Sequence, residues 1–334
     1  MNTVERPSPI RGYTETRGLK QQNFIKAFEI SRIRSVLPAD VKAELSKAVL
    51  IMRELAFQAG QIMKDYRARA KGQVNFDLKL DGSEVTQADR EIQRLIVEKL
   101  TSEFPNCGII AEEELENKCL LINNSSPILG FSFVIDPIDG TKRFTSLKEK
   151  YFGCGIALMY NGEVIASTFY APEYNVNGFT SDKWSGSLFE ASELANGMFL
   201  NEKEIRLDSR KDNFKNLTVV LEDVEEKGLS LDGFKVIHET GSDLLTLSLI
   251  SSGLEGTPVV LANGGWAGSG GAHLWDVVPG AYFIEKAGGV VWGRNGDNFF
   301  PLKNIAFHDG KPIYNGEYFA GYPNAIKQLF GLRN

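Results

Sequence analysis

Residues 131–144, FSFVIDPIDGTKRF, open as an apolar strand and close as a turn that carries carboxylates. The apolar run ends at Asp136, and Pro137, which has no N–H to donate, is expected to stop the ladder there. Asp136 and Asp139 stand three apart, so both carboxylates reach one point. Gly140 and Thr141 then read as the start of a short helix. Its first N–H groups have no intrahelical partner and suit an anion such as a phosphate. Two close carboxylates raise each other's pKa unless a cation lies between them, and hard oxygen ligands suit Mg2+. A plainer reading has Asp139 and Thr141 only capping the helix.

Further carboxylates stand at matching places along the chain, which weakens the plainer reading. Glu112 follows the apolar run Gly108-Ile109-Ile110-Ala111, where a buried strand ends and a cleft begins. Read alone, Glu112, Glu113 and Glu114 are a solvated acidic face. Asp276 opens the helical pattern WDVVPGAYFIEKAGG, where it is expected as an N-cap, a role compatible with a metal. Around these points the elements alternate. Asp40 is the expected cap of a long helix to Ala70, 74–80 is extended, and a second helix runs from Arg90 to Phe104. Strands follow, with Asn161-Gly162 as a hairpin turn. A helix starts at Ser242 or Asp243 and stops at Gly253, and Val290–Gly293 is a closing strand. Helix pairs alternating with strand groups imply stacked α and β layers.

Composition narrows the partners. With 334 residues the chain is long enough for one large domain or two intimate ones. A net charge of -6 argues against a nucleic-acid binder, which needs a basic surface. Metal ions can still supply positive charge locally to a phosphorylated small molecule. Three cysteines and three scattered histidines form neither a disulfide framework nor a histidine zinc motif, and cytoplasm is the expected location. No apolar run is long enough to span a membrane. The basic segment 1–40 reads as an N-terminal arm, and the expected division is then 41–180 and 181–334.

Four ordered motifs resemble those of the inositol monophosphatase superfamily. They are Lys79-Leu-Asp-Gly-Ser-Glu-Val-Thr-Gln-Ala-Asp89, the run from Glu112, Asp136-Pro-Ile-Asp-Gly-Thr141 with Phe144, and Trp275-Asp276 with Glu285-Lys-Ala-Gly-Gly289. The resemblance implies an α+β fold, a layered αβαβα sandwich, and a Mg2+-dependent, lithium-sensitive phosphatase. Two to three ions are implied, with Mn2+ as a substitute, and a homodimer. It assigns Glu112, Asp136 and the Ile138 carbonyl to one ion, and Asp136, Asp139 and Asp276 to a second. Glu112, with water near Asp89 and Lys79, borders a weaker third.

By the same resemblance Thr141, paired with Asp89, activates the attacking water, and the N–H groups of Gly140 and Thr141 hold the phosphate. Lys79, Gly241, Ser242, Asp243 and His273 fall where substrate contacts are expected, although Asp243 also reads as a helix cap. Glu84 replaces a frequent proline and is expected to loosen its loop. Lys142 resembles the histidinol-phosphatase and bisphosphate nucleotidase branches, whereas His273 fits the inositol branch. The substrate therefore stays open between an inositol, cyclitol or sugar phosphate and those two alternatives. A binding protein of the same fold without turnover is the reading from another class. The glycine-rich stretch 263–272 reads as a substrate cover or a spacer.

Overall fold

The computed structural model describes residues 37–80, 82–113, 130–195, 197–207, 217–222, 224, 226, 229–238, 240–254, 257–264, 271–295, 298–301, 305–308 and 311–331. Residues 1–36 of the expected arm, Cys119, and 265–270 of the glycine-rich stretch lie outside these.

Helix α1 (Ala39–Arg69) buries Val41, Leu45, Ala48, Met52, Leu55, Ala59 and Met63, one stripe at helical spacing. It starts after Pro38 with no side-chain cap, so Asp40 lies in the first turn and is not the expected cap. A small antiparallel hairpin follows, β1 (Phe76–Leu78) and β2 (Glu84–Thr86). Helix α2 (Gln87–Glu103) begins at Gln87 rather than at Arg90. Thr86 caps it and Asp89 closes a reciprocal capping box, a signal hidden in the polar run before it.

The first large sheet has the order β3 (Gly108–Ala111), β4 (Phe131–Asp139), β5 (Gly153–Tyr160), β6 (Glu163–Ala171), β7 (Ser187–Ser192), β8 (Met198–Leu200) and β9 (Lys203–Ile205). Only the β3–β4 pair in it is parallel. Contrary to expectation, β4 does not stop before Pro137. Its register shifts between Asp136, opposite Gly155, and Asp139, opposite Gly153, so Pro137 sits in a bulge that needs no N–H from it. Asn161 and Gly162 turn β5 into β6 with positive φ, as expected.

The second large sheet draws on β10 (Leu217–Glu222), β11 (Phe234–His238), β12 (Pro258–Asn263), β14 (Val290–Asn295), β15 (Asn298–Pro301) and β18 (Glu317–Gly321). Its order is β11-β10-β12-β18-β14-β15. The expected closing strand, β14, is thus not an edge. β18 enters between β12 and β14, and β15 pairs outside β14. A third, three-stranded sheet joins β13 (Gly271–His273), β16 (Ile305–His308) and β17 (Lys311–Asn315).

Helices α4 (Asp243–Ser252) and α5 (Leu274–Ala287) fill the space between the two large sheets. One apolar cluster joins Val134 and Ala157 of the first sheet to Leu247, Ile250 and Val277 of the helices and to Val220, Leu261 and Tyr318 of the second. Gly155 and Gly280 permit this approach, because a Cβ there would lie 2.4 Å from Leu244 Cδ1 and 2.5 Å from Leu247 Cβ. Helices α1 and α2 share a separate cluster with Phe133, Ile135 and Ile156 on the other face of the first sheet. Helix α6 (Pro323–Leu329) packs with Phe319 and Val260, whose strand neighbours Tyr318 and Leu261 face α4 and α5. The result is an αβαβα sandwich.

Candidate active site

A cavity of about 830 Å³ opens where β3, β4, β10 and β12 end against the starts of α4 and α5. Glu112, Asp136, Ile138, Asp139, Gly140, Thr141 and Asp276 line it, together with Lys79, Gly241, Ser242, Asp243 and His273. Asp89 is the exception among the residues singled out from the sequence. It is buried behind the wall, and Thr141 Oγ1 reaches its Oδ1 at 3.3 Å.

The bulge in β4 positions the central pair. Gly140 follows with φ of 82°, caps helix α3 (Thr141–Thr145), and has no room for a side chain. A Cβ there would meet Tyr151 O at 2.8 Å and Gly241 O at 3.0 Å. Arg67 of α1 braces α3 and the segment after it, donating to the carbonyls of Phe144 (2.6 Å), Ser146 (2.9 Å) and Glu149 (2.8 Å). Arg143 Nε donates to Thr240 O at 3.0 Å and ties α3 to the approach of α4.

The electrostatics are those of crowded carboxylates. Burial pushes Asp136 well above the usual carboxylate range, and Glu112, Asp139 and Asp276 push it further. Burial also raises Asp276, with Glu112 the leading charge behind it. Asp139 is raised by burial although the Ser242 hydroxyl and the Leu245 and Leu244 N–H groups oppose the shift. Its Oδ2 accepts from Ser242 Oγ and from Leu245 N. Asp89, buried and facing Glu112, is raised to about 7, with Thr86 working against the shift. Burial alone would lower the Lys79 ammonium, but Glu112 and Glu113, each 2.7 Å away, more than offset it.

Among the described residues no three acidic, histidine or cysteine side chains form a ready-made cage for an ion. Lys79 engages Glu112, and Ser242 engages Asp139. The donor set nevertheless fits a hard divalent cation. Four mutually repelling carboxylates line the cavity beside the Ile138 carbonyl, and the buried Asp136 Oδ1 has no hydrogen bond among the described residues.

Three sequence expectations need amendment. Asp276 is no N-cap, since α5 starts at Leu274 after His273 and Asp276 lies within its first turn. Ser242 caps α4, accepting from Leu245 N, and Asp243 is the first helical residue. Glu84 tethers its hairpin to α3, because its Oε2 accepts from Thr145 Oγ1 at 2.8 Å. Residues not singled out before also line the cavity, among them Glu222 and His238, and so does Asn263 from the start of the glycine-rich stretch. Glu222 ends the apolar run LTVVLE as Glu112 follows GIIA, so the same signal was there to read. His273 stacks on Trp275, with centroids 4.6 Å apart.

Solved structures share this architecture. The extragenic suppressor protein suhB of Bartonella henselae aligns with a TM-score of 0.63 at 22% identity, over 85% of this chain and 97% of that one. An IMPase of Thermotoga maritima aligns with a TM-score of 0.60 at 19% identity, over 86% and 96%. Among curated proteins, an inositol monophosphatase of Dictyostelium discoideum is 29% identical over 75% of this chain and 85% of its own. The 3'(2'),5'-bisphosphate nucleotidase CysQ of Buchnera aphidicola is 29% identical over 73% and 84%. Fold, cavity and relatives define a class, the phosphoric monoester hydrolases, in a metal-dependent lineage. A family model then matches residues 44–319, and the chain belongs to the inositol monophosphatase family. No helix among the described residues is long and apolar enough to cross a membrane.

Proposed function

We propose that this phosphatase hydrolyses a small phosphorylated metabolite with the help of Mg2+, within the inositol, cyclitol and sugar phosphate range. The observation that carries the reading is the convergence of the buried Asp136 and Asp139 with Asp276 and Glu112 on one cavity beside Thr141 and Asp89. Glu112, Asp136 and the Ile138 carbonyl would hold one ion, and Asp136, Asp139 and Asp276 a second, with a third bordered by Glu112. Bound divalent cations supply positive charge to the phosphate and the leaving oxygen and acidify the attacking water. Mn2+ is the expected substitute.

The remaining work falls to the chain. Thr141 Oγ1, within 3.0 Å of Ile138 O and 3.3 Å of Asp89 Oδ1, orients the water and passes its proton to Asp89. Thr86 holds the other oxygen of Asp89 through its N–H and hydroxyl, which leaves Oδ1 to take the proton. The N–H groups of Gly140 and Thr141, at the start of α3, receive the phosphate oxygens. Lys79 and His273 border the substrate. The dimer follows the family, and the cytoplasmic location accords with Cys107 and Cys154, which are free and buried among the described residues.

Phosphate release with Mg2+ should be screened over inositol monophosphates, hexose phosphates, fructose bisphosphate, a nucleoside 3',5'-bisphosphate and histidinol phosphate. Turnover that needs Mg2+, is inhibited by Li+ and vanishes in Asp139→Asn is the expected result. Silence across the panel in a protein that binds Mg2+ would leave a binding role instead.

A further inference from the structure

Strand β3 is an edge of its sheet among the described residues, and its ladder with β4 ends at Ala111 opposite Ile135. Glu112 N still donates to Ile135 O at 3.3 Å. One residue further on, a side chain takes over. Gln93 of α2 accepts from Glu113 N through Oε1 at 2.9 Å and donates from Nε2 to Glu113 O at 2.9 Å. Its amide satisfies both backbone groups of one residue, as a neighbouring strand would. Gln93 is 3% exposed and stands one turn along α2 from Asp89, on the same buried face.

Glu112 takes its direction from this clamp. Successive side chains of an extended strand point to opposite faces. Glu112 and Glu113 instead both reach Lys79 Nζ, each at 2.7 Å, because the chain bends after Ala111. With its own N–H on β4 and the next residue pinned to α2, Glu112 is held from both sides while it lines the cavity. An amide suits position 93 better than an acid. A carboxylate could accept from Glu113 N but could not donate to Glu113 O. It would also add a negative charge where Glu112 and Glu113 already act on Asp89.

We propose, resting on the phosphatase reading, that Gln93 is a positioning residue for the cation site, which fixes the direction of the Glu112 carboxylate. Gln93 itself does not line the cavity and acts through the backbone of Glu113. One face of α2 then serves two parts of the site that are distant in sequence. Asp89 meets the hydroxyl of Thr141, and Gln93 holds the chain that presents Glu112.

The test measures Mg2+ binding directly, by titration calorimetry on the full chain, beside the Mg2+ dependence of phosphate release. Gln93→Met nearly keeps the side-chain length and removes both hydrogen bonds. It should weaken Mg2+ binding about tenfold or more, the usual effect of losing a residue that orients a metal ligand, and raise the Mg2+ requirement of turnover in step. Gln93→Glu, which keeps the acceptor and loses the donor, should also weaken binding and decides the matter if the methionine variant does not fold. Leu100→Ala, a core truncation about two turns along α2, is the control. It should lower Tm and leave Mg2+ affinity at the wild-type value. Unchanged Mg2+ affinity in the folded Gln93 variants overturns the proposal, and so does an equal loss in Leu100→Ala. A wild type that takes up no Mg2+ overturns the phosphatase reading itself, and the role of Gln93 falls with it.

Discussion

In the proposed mechanism Thr141 carries much of the chemistry on one hydroxyl. It stands between the cavity, which it lines, and Asp89, which lies behind the lining. Thr141→Ala keeps the backbone of α3 while removing the hydroxyl that reaches the buried carboxylate. The expected outcome is a loss in kcat of about 10²-fold or more, the usual worth of positioned proton transfer, with KM changed little. Thr141→Ser, which restores the hydroxyl, should recover most of that loss. Steady-state phosphate release on the three proteins checks this. A variant losing KM rather than kcat would make Thr141 a binding group.

Short α3 does not hold itself in place. Five residues make barely more than a turn, and isolated helices of that length are unstable in water. Its position comes from α1, where Arg67 is buried, stacks on Phe152 at 4.8 Å, and pairs with Glu173 at 3.2 Å. The same guanidinium donates to the carbonyls of Phe144 in α3 and of Ser146 and Glu149 in the segment that leaves it. Arg67→Met removes all of these donors and leaves Glu173 and the carbonyls unmatched. The expected cost is about 3–5 kcal/mol of stability, as for a broken buried ion pair, with a fall in kcat as Thr141 loses its frame. Urea unfolding and turnover measured on one preparation check both parts.

The molecule as a whole should couple pH to metal through its buried acids. Asp136, Asp139 and Asp276 hold protons more tightly in the fold than in an unfolded chain, and so does Asp89, raised to about 7. A raised acid contributes its stability below the unfolded pKa near 3.8 and loses it as pH climbs through the folded pKa. Without divalent cations these groups therefore destabilise the fold progressively from about pH 4 past neutrality. Cation binding requires ionised carboxylates and releases protons. The Mg2+-induced rise in Tm should then be larger at pH 8 than at pH 5, measured by calorimetry at matched ionic strength. Equal shifts at both pH values would detach these carboxylates from the metal.

The order of helices and strands, the turn at Asn161-Gly162, the caps at Ser242 and Gly253, and most of the cavity lining could be read from local pattern. They depend on neighbours in the chain, such as apolar spacing, positive-φ glycines and carboxylates at strand ends. Three kinds of feature depended on parts distant in sequence. β18 is inserted between β12 and β14 because sheet order follows packing against α4 and α5, which no local pattern encodes. Pro137 is tolerated inside β4 because it falls in a bulge, where two residues of β4 stand against one of β5. Arg67 serves α3 from 76 or more residues away, as Asn263 serves Asp243 from 20. The amino-acid order determined which chemistry the chain possesses. Only the packed layers decided which charges meet, because burial and long-range contacts set how costly each charge is and which donor reaches it.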